Sequence, residues 1–255
     1  MRRKLLASCV LLLGLLFGAS TSAWADTVAL TSVSLTNIQL TSASGTVVFA
    51  PPQVGPVTSA SGAAQNSFGQ EVADHSESPT RAQAAAAVIS AGASGQSDLA
   101  NLQLNANSNV ILSGCVCSAE SEGLAFLRQS FTITGGTGSV DVTFSALSQT
   151  IQDLVTDQFS LFAVSEARIS VQVVGVQTFS VDLNLPIGPN DITKLELQRQ
   201  LSEVFNLQFG QQYDLVIFVG ANSRAAQSEV PEPATMVLLV SGLGFMAGFA
   251  RKRGE

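Results

Sequence analysis

The sequence predicts a mainly β protein, an antiparallel two-sheet sandwich of jelly-roll type, with a cleaved N-terminal signal helix and a C-terminal hydrophobic helix. Three observations lead there. Apolar and polar residues alternate through much of the middle of the chain, the period of a half-buried strand. Polar and glycine-bearing connections separate these runs. Both ends instead carry apolar segments beside basic clusters.

At the N-terminus Arg2, Arg3 and Lys4 precede an apolar run from Leu5 to Phe17, and small residues at Ala23 and Ala25 flank Trp24. This is the layout of a secretory signal with its peptidase site, so cleavage after Ala25 makes Asp26 the first mature residue. Leu6-Ala7-Ser8-Cys9 has the residue types of a lipoprotein box. Most of the apolar run follows Cys9, which leaves nothing long enough before it to insert.

At the other end Val230, Pro231, Glu232 and Pro233 precede an uncharged stretch of 17 residues, Ala234 to Ala250, and then Arg251, Lys252 and Arg253. A helix of that length spans about 25 Å, the short limit for crossing a bilayer. The basic cluster resists translocation and stays cytoplasmic. That orientation puts Pro-Glu-Pro on the outer face of the inner membrane, and two prolines keep it extended and accessible to a processing enzyme. Gly244 and Gly248 form a Gly-x-x-x-Gly pair, which in so glycine-rich a stretch reads as composition.

The order Pro231-Glu232-Pro233, apolar span and Arg-Lys-Arg closely resembles the PEP-CTERM sorting signal of Gram-negative bacteria. The resemblance covers residues 230–255 and implies recognition by a membrane-embedded exosortase. Cleavage near the motif would then send the protein to the outer envelope or extracellular matrix. Like other removable hydrophobic tails, such a segment is an address and leaves no membrane helix in the mature protein. The chain therefore divides into a signal peptide at 1–25, a β-rich exported domain at 26–229 and the sorting tail at 230–255.

The exported domain holds six Lys or Arg against 17 Asp or Glu, a net charge of about −11. Such a surface repels phosphate, so nucleic acid is not an expected partner. Alternation is clearest in Ser139 to Leu147, where Val140, Val142, Phe144 and Ala146 share a face. Ser130 to Thr134 alternates too, and Gly135 to Gly138 joins the pair, which predicts a hairpin. Thr132-Ile133-Thr134-Gly135-Gly136-Thr137-Gly138 is also similar to a segment found in proteins bearing this tail. Ile169, Val171 and Val173 form one stripe and Phe179, Val181, Leu183 and Leu185 a second, across a break near Gly175. Tyr213, Leu215, Ile217 and Val219 repeat it.

Other segments speak less clearly. Thr27 to Phe49 has strand-like pieces that change phase, and Pro51 to Ser67 reads as a loop rich in Pro, Gly and small polar residues. Pro79 to Ala91 fits a helix capped by Ser78 or an alanine-rich strand. Ile192 to Phe205, with Leu195, Leu201 and Phe205 among charges, suggests one short helix.

Chemistry is sparse. Cys115 and Cys117 are candidates for a disulfide in an oxidising compartment. On an extended strand their Cα atoms stand roughly 6.5 to 7 Å apart, at the edge of bridging range, so an intrachain bridge needs a bend. Intermolecular bridging and metal or redox chemistry are the alternatives. His75 is the only histidine and sits in a polar stretch that reads as a solvated loop, which leaves a Ser-His-Asp site little to build on. Glu120 with Glu122 and Asp153 with Asp157 are carboxylate pairs of the kind glycosidases use, but no aromatic platform surrounds them. The expected role is non-enzymatic, structural or adhesive, at the cell surface or in a biofilm matrix, with no metal and no cofactor. Signal peptidase and exosortase are the expected processing partners, the inner membrane a transient one, and exopolysaccharide or other matrix components the eventual ones. The alternatives are an exported carbohydrate-binding module or glycosidase, and a single-pass membrane-anchored periplasmic protein.

Overall fold

The computed structural model describes residues 26–50, 58–78, 81–88, 90–113 and 117–228. The expected signal helix and C-terminal hydrophobic helix lie outside the described residues, as do 51–57. The described residues form strands β1 (Asp26–Ser42), β2 (Thr46–Phe49), β3 (Thr58–Asn66), β4 (Glu71–Ser78), β5 (Arg81–Val88), β6 (Ala91–Asp98), β7 (Gln103–Ser113), β8 (Cys117–Thr134), β9 (Ser139–Val155), β10 (Ser160–Val173), β11 (Gln177–Ile187), β12 (Ile192–Gln208) and β13 (Gln212–Gln227).

The fold is mainly β, in two antiparallel sheets. Sheet A has the order β12-β9-β1-β7-β6-β5, and sheet B the order β11-β10-β13-β8-β3-β4, with β2 lying beyond β3 along the same side of β8. The stripes read from sequence are the core. Val140, Val142, Phe144, Ile169, Val171, Val173, Tyr213, Leu215, Ile217 and Val219 are all buried in one cluster with Phe131, Ile133 and Phe205, and Phe179, Val181 and Leu183 pack against it. The break near Gly175 is the β10–β11 turn, where that glycine has φ +78.

The phase change in the first third has a local cause. β1 pairs with β9 in register until Thr36 and resumes at Gln39, and Asn37 in the gap has φ 53. This β-bulge moves the buried set from Val33 and Leu35 to Ile38, so one strand carries two phases.

Four sequence expectations are corrected. Residues 58–66, expected as loop, form β3, paired on both sides by β4 and β8. The stretch expected as helix from Ile192 is β12, paired with β9 along its whole length. Leu195, Leu197, Leu201, Phe205 and Leu207 all have odd numbers there, so the period is 2 and the charges occupy the gaps. Gly135 to Gly138 does not close a hairpin, since β8 belongs to sheet B and β9 to sheet A. It carries the chain from one sheet to the other. His75 lies in strand β4, exposed, with Nε2 3.2 Å from Glu77 Oε1.

Of the two readings of the alanine-rich segment, residues 81–88 are a strand. Alanine is the strongest helix former, but tertiary packing overrides that preference. Ala82, Ala84 and Ala86 point into the sandwich opposite β3, where Gly62 lies so close that an added Cβ would stand 2.8 Å from the Ala93 carbonyl oxygen. Larger side chains do not fit between these backbones. The sandwich is thus thick where Phe131, Phe144 and Phe205 pack and thin along β3, β5 and β6.

Candidate functional site at the chain-end pole

The last described strand ends at a pole where several chain segments converge. Ser228 follows β13, and both its N–H and its Oγ donate to the Phe159 carbonyl at 2.8 Å. Its neighbour Gln227 pairs with Ser160 on one side and Cys117 on the other. The beginning of β1 reaches the same place, where Thr27 Oγ1 lies 2.5 Å from Ser160 Oγ. Asp157 shapes the intervening turn by accepting the N–H of Phe159 at 2.9 Å and that of Ser160 at 3.0 Å on Oδ1. Both ends of the described chain therefore leave the sandwich at one pole, where Thr27 is tied to Ser160 and Ser228 to Phe159 beside the β9–β10 turn.

Cys117 opens β8 at this pole, is buried and is disulfide-bonded. Cys115, Ala23, Ala25, Val230, Pro231, Glu232, Pro233, Arg251, Lys252 and Arg253 lie outside the described residues. Among the described residues no helix is long and apolar enough to cross a membrane.

The remaining candidates are scattered. Glu120 accepts from Arg224 Nε at 2.8 Å and Asn222 Nδ2 at 3.3 Å, and with Glu71 and Glu122 it borders a surface hollow of about 140 Å³. Its carboxylate is engaged by its neighbours on the sheet. Asp157 is committed to its turn, and Asp153 sits opposite Lys194 in the β9–β12 ladder. A larger hollow of about 340 Å³ between β1 and β8 is lined by Ile38, Leu40, Phe49, Leu102, Leu127 and Leu215, with Gln39, Thr41 and Gln129 as its polar members. None of these titrates. Among the described residues no group of three or more His, Cys, Asp or Glu side chains is placed to hold a metal ion.

Sequence reasoning found the processing motif but missed the pole. Its signal was there in the Asp157-x-x-Ser160 spacing of an Asx-type turn. What that turn holds depends on Thr27 and Ser228, which lie 133 and 69 positions from the residues they meet there.

No curated protein and no solved structure matches the chain. The family described as PEP-CTERM protein-sorting motif matches residues 229–253. The match begins one residue after Ser228, so a cut within it removes no strand of the sandwich. The chain thus carries a PEP-CTERM protein-sorting motif, which supports export and sorting through exosortase, and the motif starts where the described sheets end.

Proposed function

We propose that this protein is a non-enzymatic component of the outer envelope, cell surface or biofilm matrix, delivered by its sorting motif and acting through the faces of a rigid sandwich. The match at 229–253 carries this reading. The position of Ser228 supports it, because the domain keeps its hydrogen-bonded strands when the motif is removed. A signal peptide cleaved after Ala25 would free Asp26 at the same pole, so both processing events occur beside the β9–β10 turn. A jelly-roll-type winding is favoured by the repeated passage of the chain between the two sheets. Exopolysaccharide is the favoured matrix partner, since the exposed faces are rich in Ser, Thr, Asn and Gln and poor in cations.

The test is the intact mass of the protein from its host, fractionated into inner membrane, outer membrane and medium. The expected species starts at Asp26, ends near Pro231 and lies outside the inner membrane. Replacing Pro231, Glu232 and Pro233 together by Ala is expected to hold the protein in the inner membrane with Arg251 to Glu255 still attached. Wild-type protein of that length in that fraction would refute sorting and identify a permanent anchor. Properly sorted protein whose deletion leaves biofilm unchanged would refute the matrix role alone.

A further inference from the structure

The two sides of the sandwich end differently. On one side β5 is covered, because Asp74 Oδ2 of β4 accepts the Ala85 N–H at 3.0 Å across the sheets. On the other side β11 closes sheet B and β12 closes sheet A. β11 carries Pro186, which has no N–H to offer a further strand. Among the described residues β12 has neither protection. Its 17 residues contain no Pro or Gly and pair with β9 without a bulge. Natural edges of this length are usually blunted.

The direction of the free groups on β12 follows from its ends. Thr156 N–H donates to the Asp191 carbonyl, and Phe209 N–H to the Gly138 carbonyl. These bonds set odd-numbered residues into the hydrogen-bonded pairs with β9, and such pairs alternate along an antiparallel ladder. Even-numbered residues from Ile192 to Gln208 therefore turn their N–H and C=O groups away from the sheet.

The odd-numbered side chains face between the sheets. Leu201, Phe205 and Leu207 are buried, Leu195, Leu197 and Glu203 are half-buried, and Arg199 is exposed. Glu203 accepts from Gln177 Nε2 at 2.9 Å. Arg199 has no acidic partner among the described residues, whose ion pairs use Arg128, Arg168, Arg224 and His75. An inward-facing charge on an edge strand ordinarily discourages pairing.

We propose that β12 is a self-association edge that takes the β12 of a second copy of this chain, antiparallel and centred on Leu201, and so joins two copies of sheet A into one sheet. A two-fold axis through Leu201 sets Leu201 against its own copy, Leu195 against Leu207, Leu197 against Phe205 and Arg199 against Glu203. These are non-hydrogen-bonded pairs, in which side chains approach most closely. On the outer face Lys194 meets Gln208, Glu196 meets Asn206, Gln198 meets Val204 and Gln200 meets Ser202, with no like charges opposed. Centring on Gln200 puts Arg199 opposite Leu201 and Glu203 opposite Leu197. Centring on Ser202 puts Arg199 opposite Phe205 and Glu203 opposite Leu201. The lone Arg199 thus rejects neighbouring registers and finds its carboxylate in one. The inference goes beyond the sorting reading and does not depend on it.

The experiment is sedimentation velocity of the full chain in a non-ionic detergent, over a range of concentration, for wild type, R199E, E203R and the double exchange. Wild type is expected to form a dimer. Each single exchange opposes like charges twice across the axis and is expected to weaken the dimer by about tenfold or more, while R199E/E203R restores it to within about threefold. Circular dichroism checks that each variant keeps its strands. If E203R unfolds through loss of the Gln177 bond, R199E, at an exposed position, carries the comparison alone. A wild type monomeric throughout would overturn the proposal, and so would a dimer indifferent to R199E, which is the result expected if the hydrophobic tail were what associates.

Discussion

Gly95 of β6 and Leu124 of β8 belong to different sheets, yet a Cβ built on Gly95 would stand 1.8 Å from the Leu124 carbonyl oxygen. Packed sheets ordinarily lie about 10 Å apart, with side chains filling the gap. Here two backbones meet directly, and Gly123 repeats the contact against Ser94 and Asn107. Gly95→Ala must push the sheets apart and is expected to cost about 2–4 kcal/mol, near the upper range for overpacking. Gly188→Ala, where nothing lies within 4 Å, should change stability by no more than about 0.5 kcal/mol. Urea unfolding of both variants checks the contrast.

A buried row of hydroxyls stitches the sheets beside this contact. Thr31 Oγ1 lies 2.5 Å from Ser165 Oγ and 3.0 Å from Ser223 Oγ, donates to the Asn222 carbonyl at 2.9 Å, and Ser223 Oγ continues to Ser108 Oγ at 2.8 Å. Thr31→Val keeps the shape but strands partners in a dry interior. A loss of about 1–3 kcal/mol is expected. In a double-mutant cycle with Ser223→Ala the double variant should lose less than the sum of the two single losses, because both remove one shared network.

Asp214 gives a pH dependence whose sign is fixed. Ser130 Oγ donates to its Oδ1 at 2.5 Å and Arg128 Nη2 to its Oδ2 at 2.5 Å, and these bonds, the Ser130 one foremost, hold its pKa below the ordinary 3.8. Its stabilising contribution is complete above that ordinary value and is lost as pH falls through the lower folded value. Asp98 is shifted the same way, first by the Asn101 side chain and then by the Asn101 N–H. Asp214→Asn should flatten the fall in urea midpoint between about pH 5 and about pH 2 while lowering the midpoint at neutral pH.

Gln227 predicts a gain. The side chain is buried at the chain-end pole, and neither its Oε1 nor its Nε2 has a hydrogen-bond partner among the described residues. Gln227→Met removes an unsatisfied amide at nearly constant volume. A stabilisation of about 1 kcal/mol is expected, seen as a higher thermal midpoint.

The sorting motif was legible because it is a linear signal. Pro231-Glu232-Pro233, the apolar span and Arg251 to Arg253 need no folded partner to be read, only their order. β9, β10, β11 and β13 were legible for a related reason, since each buries one face under large apolar residues and so writes a period of 2 into its own sequence. β3 and β5 did not, because the residues they bury are Thr58, Ala60, Gly62, Ala64, Ala82, Ala84 and Ala86, and small residues carry little hydrophobic signal. Charges in the gaps hid the same period in β12. Nor could Gly135 to Gly138 announce whether it returned the chain to the same sheet or sent it to the other, since that turns on partners far along the sequence. The meeting of Thr27, Ser160 and Ser228, and the free edge holding Arg199 and Glu203, exist only once the strands have been ordered. Sequence by itself determined the address and the strand-forming character of the chain. Tertiary structure decided which strands are neighbours and which edge stays open, because backbone hydrogen bonds between strands join residues distant in sequence and carry no side-chain label.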